Sequence, residues 1–162
     1  MLFVLTLKKV MYHTLTIFHN AVRWFVLASL LFATFRAYKG YFSKFAFTKT
    51  DNAVRHWTAT IAHIQLMIGI VLYFQSPTIK YFMTNFKEAR KNFDMAFFGI
   101  YHGLFMFSAI ILITIGSAKA KRQQTDREKF KTMLIWFSIA LIIIFIAIPW
   151  PFSPFAKRPY YR

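Results

Sequence analysis

Apolar residues gather into four long runs along the chain, near Leu15–Tyr38, Ala59–Phe74, Ala96–Ser117 and Met133–Trp150, with short lysine- and arginine-rich stretches between them. A helix of about 20 predominantly apolar residues is long enough to cross a bilayer. A helix of a water-soluble bundle keeps a polar stripe on its outer side. The fourth run, MLIWFSIALIIIFIAIPW, has none. The pattern therefore predicts an all-α integral membrane protein: a four-helix up-down-up-down bundle forming one domain over residues 1–162.

The segments outside the runs refine this picture. Between the second and third, SPTIKYFMTNFKEARKNFD opens with a Ser-Pro helix start and spaces Phe82, Phe86 and Phe93 at near-helical intervals among charged residues. That combination predicts a short interfacial helix lying along the membrane surface. The tail PWPFSPFAKRPYYR ends the fourth helix through Pro149 and Pro151, which cannot continue an α-helical ladder. It sets Trp150, Phe152, Tyr160 and Tyr161 where an aromatic belt is expected. In the opening MLFVLTLKKV the lysines follow the apolar stretch, the reverse of a secretory signal, so the first span is expected to direct insertion. The tetrapeptide NAVR occurs at residues 20–23 and 52–55, but the flanking sequences do not continue the match and no duplication is inferred.

Composition agrees with lipid as the solvent: 57% of residues are hydrophobic, 20% are aromatic, and the mean hydropathy is +0.43. Charge is lopsided, with 21 Lys and Arg against 5 Asp and Glu, a net +16. In a soluble domain such an excess points to nucleic acid. Here the basic residues collect at the ends of apolar spans, where lipid headgroups are the expected partner and nucleic acid is not. The loops joining spans one to two and three to four hold eleven basic residues and the opposite side holds nine, which by the positive-inside rule places both termini outside. There is no cysteine, hence no disulfide, no thiolate metal site and no thioether haem attachment.

Candidate chemistry lies in the histidines. His19, His63 and His102 fall inside spans one, two and three, while His13 and His56 sit nearer helix ends. Ionisable groups in a membrane interior mark functional positions by default. All five acids, Asp51, Glu88, Asp94, Asp126 and Glu128, fall in loops or at helix ends, which argues against an intramembrane proton or cation relay and against carboxylate di-metal sites. A serine-triad hydrolase and a phosphate-cradling glycine loop lack their residues as well. Neutral imidazole is a good iron ligand, and a b-type haem needs only two from facing helices. First and third helices lie diagonally across such a bundle. His19 and His102, at similar depth, form the expected metal-ligating pair, with His63 as substitute. Gly99 and Gly103 read either as close helix packing or as a gap for a flat macrocycle. Arg23, one turn beyond His19, suits a haem propionate or a lipid phosphate. Two alternatives stand beside haem: interhelical hydrogen bonding, with Asn20, Thr60 and Gln65 as partners for the histidines, and a quinone pocket built from His63, Arg23 and aromatic side chains.

The stretches HNAVRW, TIAHIQLMIGIVLYFQSP, ITIGSAKAKR and IPWPF together resemble small bacterial four-helix membrane proteins labelled cytochrome b or cytochrome b-like, over nearly the whole chain. The resemblance implies an inner-membrane protein and supports His19, Arg23, His63 and His102 as the positions of interest. An acidic residue often precedes the third-helix histidine in that pattern; this chain has Tyr101. The fourth span has no histidine, so one haem at most is expected. The expected function is one-electron transfer by a b-type cytochrome-like subunit in place of a stand-alone enzyme. A haemless quinone- or lipid-binding subunit, or a structural or assembly subunit of a larger complex, is the alternative.

Overall fold

A computed structural model describes residues 2–153 and residue 156, except for the side chains of residues 2–5 and 8. The described residues are almost entirely helical. The elements are α1 (Leu2–Phe42), α2 (Lys49–Gln75), α3 (Pro77–Thr84), α4 (Phe86–Ala89), α5 (Phe93–Ala96), a π-helical turn (Phe97–Tyr101), α6 (His102–Arg122) and α7 (Asp126–Ala147). Four helical stretches are long and apolar enough to cross a membrane: Lys9–Phe42, Lys49–Gln75, Phe93–Arg122 and Asp126–Ala147.

Their ends differ from the apolar runs for identifiable reasons. Helix α1 starts at Leu2, well before Leu15, because neither Lys8 nor Lys9 breaks a helix and no glycine or proline occurs before Gly40. Helix α2 starts ten residues before Ala59. Thr48 caps it: its hydroxyl accepts from the Asp51 N–H (3.2 Å), and the Asp51 carboxylate accepts from the Thr48 N–H (2.9 Å) in return, a reciprocal box that starts a helix in polar sequence. Helix α7 stops at Ala147, two residues before Pro149, as the prolines require.

Helix α1 packs on α2, α2 on α6, α6 on α7 and α7 back on α1, a closed ring of four that leaves α1 and α6 across the diagonal. Each buried stripe advances by alternating steps of three and four. On α1 it is Val26, Leu30, Ala33 and Ala37; on α7 it is Phe130, Met133, Phe137, Ala140, Ile144 and Ala147. Such spacing suits helices crossing at about 20°. Small residues let the backbones approach closely: Gly116 faces Trp136, and a methyl group there would collide with the indole side chain. Outside this seam the helices expose Phe25, Phe32, Phe35, Phe74, Ile142 and Phe145, an apolar exterior appropriate to lipid.

The segment between α2 and α6 is three short helices in place of one. Ser76 caps α3 and Pro77 occupies its first turn, as the Ser-Pro start implied. Phe82 is 1% exposed and its ring covers Gly99, whereas Phe86 and Phe93 are exposed. At the other end of the chain, Trp150 departs from the aromatic-belt expectation. It is 8% exposed, its ring centroid lies 5.9 Å from that of Trp24, and it belongs to the core; Phe152 is exposed and stacks on it at 5.7 Å. Tyr160 and Tyr161 lie outside the described residues.

Candidate functional site

His102 emerges from a local departure in helix geometry. The turn Phe97–Tyr101 before it is wound as a π-helix, a form that recurs at functional positions. The Tyr73 hydroxyl on α2 donates to the Gly99 carbonyl at 2.7 Å and so ties that turn to its neighbour. Phe97 and Phe98 flank the imidazole, with centroids 5.8 and 6.0 Å away. The ring then reaches α7, where Nδ1 lies 2.9 Å from the Ala147 carbonyl oxygen. A carbonyl can only accept, so Nδ1 carries the proton and the neutral ring presents its lone pair at Nε2.

The carbonyl is free to do this because of proline. In a continuing α-helix the Ala147 oxygen would accept from the N–H of residue 151, and the Phe145 oxygen from that of residue 149. Both positions are proline and have no N–H. Two side chains take up the vacated acceptors: His102 at Ala147, and the Trp150 indole, whose Nε1 donates to Phe145 at 2.8 Å.

His19 on α1 lies in the neighbourhood of both His102 and Arg23, and Arg23 in that of His102. Structure and chain pattern thus bring together the two histidines and the arginine. The His19 Nδ1 is buried and, among the described residues, has no hydrogen-bond partner. Room for the ring comes from Gly69 on α2, where an added Cβ would stand 3.2 Å from His19 Cε1. Gln65, one turn earlier, donates from Nε2 to the His19 backbone carbonyl at 2.9 Å and pins this part of α1 to α2. The Arg23 guanidinium lies 5.2 Å from the centroid of the Trp24 ring.

His63 is placed elsewhere. It is exposed on the outside of α2, with Nδ1 2.7 Å from its own helix's Ala59 carbonyl and Nε2 3.1 Å from the Thr114 hydroxyl of α6. Beside it is an open apolar groove of about 200 Å³ between Leu66, Phe107, Ile110 and Ile111. The partners expected for the histidines are redistributed: Thr60 donates to its own helix at His56, and Gln65 serves His19 in place of His63. Of the two glycines near His102, Gly99 is covered by Phe82, whose ring would be 2.6 Å from an added Cβ. Gly103 faces open space, with no atom of the described residues within 4 Å of an added Cβ. His13 and His56 are exposed.

Sequence reasoning missed Gly69, Tyr73, Trp24 and the carbonyl of Ala147. The histidine-facing role of Gly69 has no local signal, but the two prolines at 149 and 151 announce free carbonyls at 145 and 147. Among the described residues no three His, Asp or Glu side chains gather into a group that could hold a bare metal ion. A bis-imidazole haem requires two ligands and takes its remaining four from the porphyrin. The residues present fit such a group in three respects: His102 offers an oriented lone pair, His19 has a buried nitrogen without a partner, and Arg23 supplies a cation beside both. No known protein family, curated protein or solved structure matches this chain. Function is therefore read from the side chains themselves.

Proposed function

We propose that the chain is a small b-type cytochrome-like subunit of an inner membrane that passes single electrons through one haem held by His19 and His102. In this reading the four spans run up-down-up-down and α3–α5 lie along one membrane surface. The observation that carries it is the paired state of the two rings: one imidazole locked by Ala147 into the tautomer that leaves Nε2 available, and a second, across the bundle diagonal, with a buried nitrogen unsatisfied. Metal-ligating histidines characteristically donate their other ring N–H to a backbone carbonyl, as His102 does. Bound there, a b-type haem supplies reversible one-electron oxidation at iron. The protein's part is to orient His102, to exclude water through Trp24, Trp150 and the flanking phenylalanines, and to offset propionate charge with Arg23.

The decisive measurement is a reduced-minus-oxidised visible spectrum of detergent-purified protein expressed with haem precursor. Soret and α-band signals are expected in the wild type and in His13→Ala, and are expected to vanish in His19→Ala and in His102→Ala. A colourless preparation with full helical content overturns the assignment.

The groove beside His63 favours a second reading, a haemless quinone- or lipid-binding subunit. His63 stands about halfway along α2, so its imidazole and the Thr114 hydroxyl offer polar contacts near mid-membrane beside apolar walls. A quinone-dependent rise in melting temperature that His63→Leu abolishes would select this reading.

A further inference from the structure

At the far end of the bundle from Pro149 and Pro151, α2 and α7 begin and α6 ends, and between them lies an open, shallow cavity of about 300 Å³ lined by Phe47, Thr48, Lys49, Asn52, Lys121 and Lys129. That volume is at the small end of the range for ligand pockets. Its three lysines come from three different helices.

The acids of this end are already engaged. Asp51 receives Arg36 at 2.6 Å and both donors of Thr48, Asp126 receives Lys129 at 3.1 Å, and Glu128 receives Lys131 at 3.7 Å. Among the described residues, no carboxylate forms an ion pair with Lys49 or Lys121. Behind the cavity sits Arg55, 5% exposed, whose donors, among the described residues, go to neutral oxygens: the Ser117 carbonyl and hydroxyl and the Asn52 Oδ1. Its positive charge is solvated by dipoles and not cancelled. The same contacts orient Asn52. With Oδ1 accepting twice from Arg55, at 3.2 and 2.9 Å, the two protons of Nδ2 are left for the cavity. The lining is therefore a set of donors and cations with a positive field behind it, at the level where apolar helices give way to polar loops.

We propose that this cavity binds the phosphate of an anionic phospholipid headgroup, contacted by Lys49, Lys121 and the Asn52 amide, with Lys129 completing the shell. Basic pockets between membrane helices at the headgroup level are suited to this chemistry, and an ammonium near the surface attracts an anionic lipid strongly enough for the loss of two to be measurable. A zwitterionic headgroup brings a second positive charge into a site that has no free acid to receive it.

The test uses the full-length protein in a neutral detergent at physiological salt, which screens diffuse attraction. Binding of phosphatidylglycerol and phosphatidylcholine is compared by native mass spectrometry and by lipid-dependent melting. Phosphatidylglycerol is expected to bind at least about tenfold more tightly, and Lys49→Gln with Lys121→Gln to remove that preference. A control pair of equal charge, Lys44→Gln with Arg122→Gln, is expected to keep it. Asn52→Asp, which places a carboxylate at the mouth, gives a second disruption independent of the lysines. Equal loss in the control pair, equal binding of the two lipids, or matching stabilisation by inorganic phosphate alone would each overturn the proposal. The haem assignment is unaffected by either outcome, since its spectrum is read at the opposite end.

Discussion

The tetrapeptide Asn-Ala-Val-Arg occurs twice, and its two arginines meet different surroundings. Arg55, in the second copy, is turned back onto its own Asn52 and across to Ser117 of α6, so its donors are matched by fixed oxygens of the fold. Arg23, in the first, lies beside two imidazoles and against the face of Trp24. One guanidinium ties helices together; the other occupies the neighbourhood where ligand-type nitrogens converge. Identical local sequence has therefore been given a structural task at one end of the bundle and placed with the candidate chemistry at the other.

Substitutions can break this contrast. The largest effect is expected from Asp51→Asn, which leaves Arg36 without its carboxylate and weakens the return half of the α2 capping box. With Arg36 itself partly exposed, a loss of about 3 kcal/mol is expected by chemical denaturation in detergent. The haem signal per folded molecule should not change. Next comes the direct comparison. Arg55→Met should cost about 2 kcal/mol, because the buried carbonyl and hydroxyl oxygens of Ser117 lose their donor, and should leave the spectrum intact. Arg23→Met should instead lower haem content or shift the reduction potential. Equal stability losses in the two variants, with unchanged spectra, would erase the distinction. Tyr73→Phe removes one interhelical hydrogen bond to the π-helical turn, and a loss of about 0.6 kcal/mol is expected, seen as faster amide exchange around Gly99. The smallest effect on stability is expected from Gly69→Ala. Its methyl group presses on His19 at 3.2 Å, a displacement of tenths of an ångström that should cost well under about 1 kcal/mol. The haem band should nevertheless report it, since the His19 ring is the part that must move.

Much of the fold could be read directly from hydropathy. The four spans are visible because their apolar runs are long, but their polar beginnings are not: Lys49–Thr58 is helical on the strength of the Thr48–Asp51 cap and lies outside the hydropathy maximum. Facing is also hidden. When a helix is apolar all round, hydrophobicity does not say which side turns inward. The small residues do, since Ala33 and Ala37, Ala109 and Gly116 mark the seam. At the candidate site, the histidines and Arg23 stand out because such residues are costly in lipid. Their relations depend on contacts between α1, α2, α6 and α7 that no single span contains. Gly69 looks like any glycine in a membrane helix until His19 is seen against it.

The end of α7 has a further implication. The proton on His102 is positioned by a carbonyl that α7 leaves without an intrahelical donor because the helix stops two residues before Pro149. Letting the helix run on, with Pro149→Ala and Pro151→Ala together, would bring a rival donor to the Ala147 oxygen, and nitrogen-15 shifts of the imidazole would report any change of tautomer. The break that closes one helix thus decides which nitrogen of a histidine on another is available for bonding.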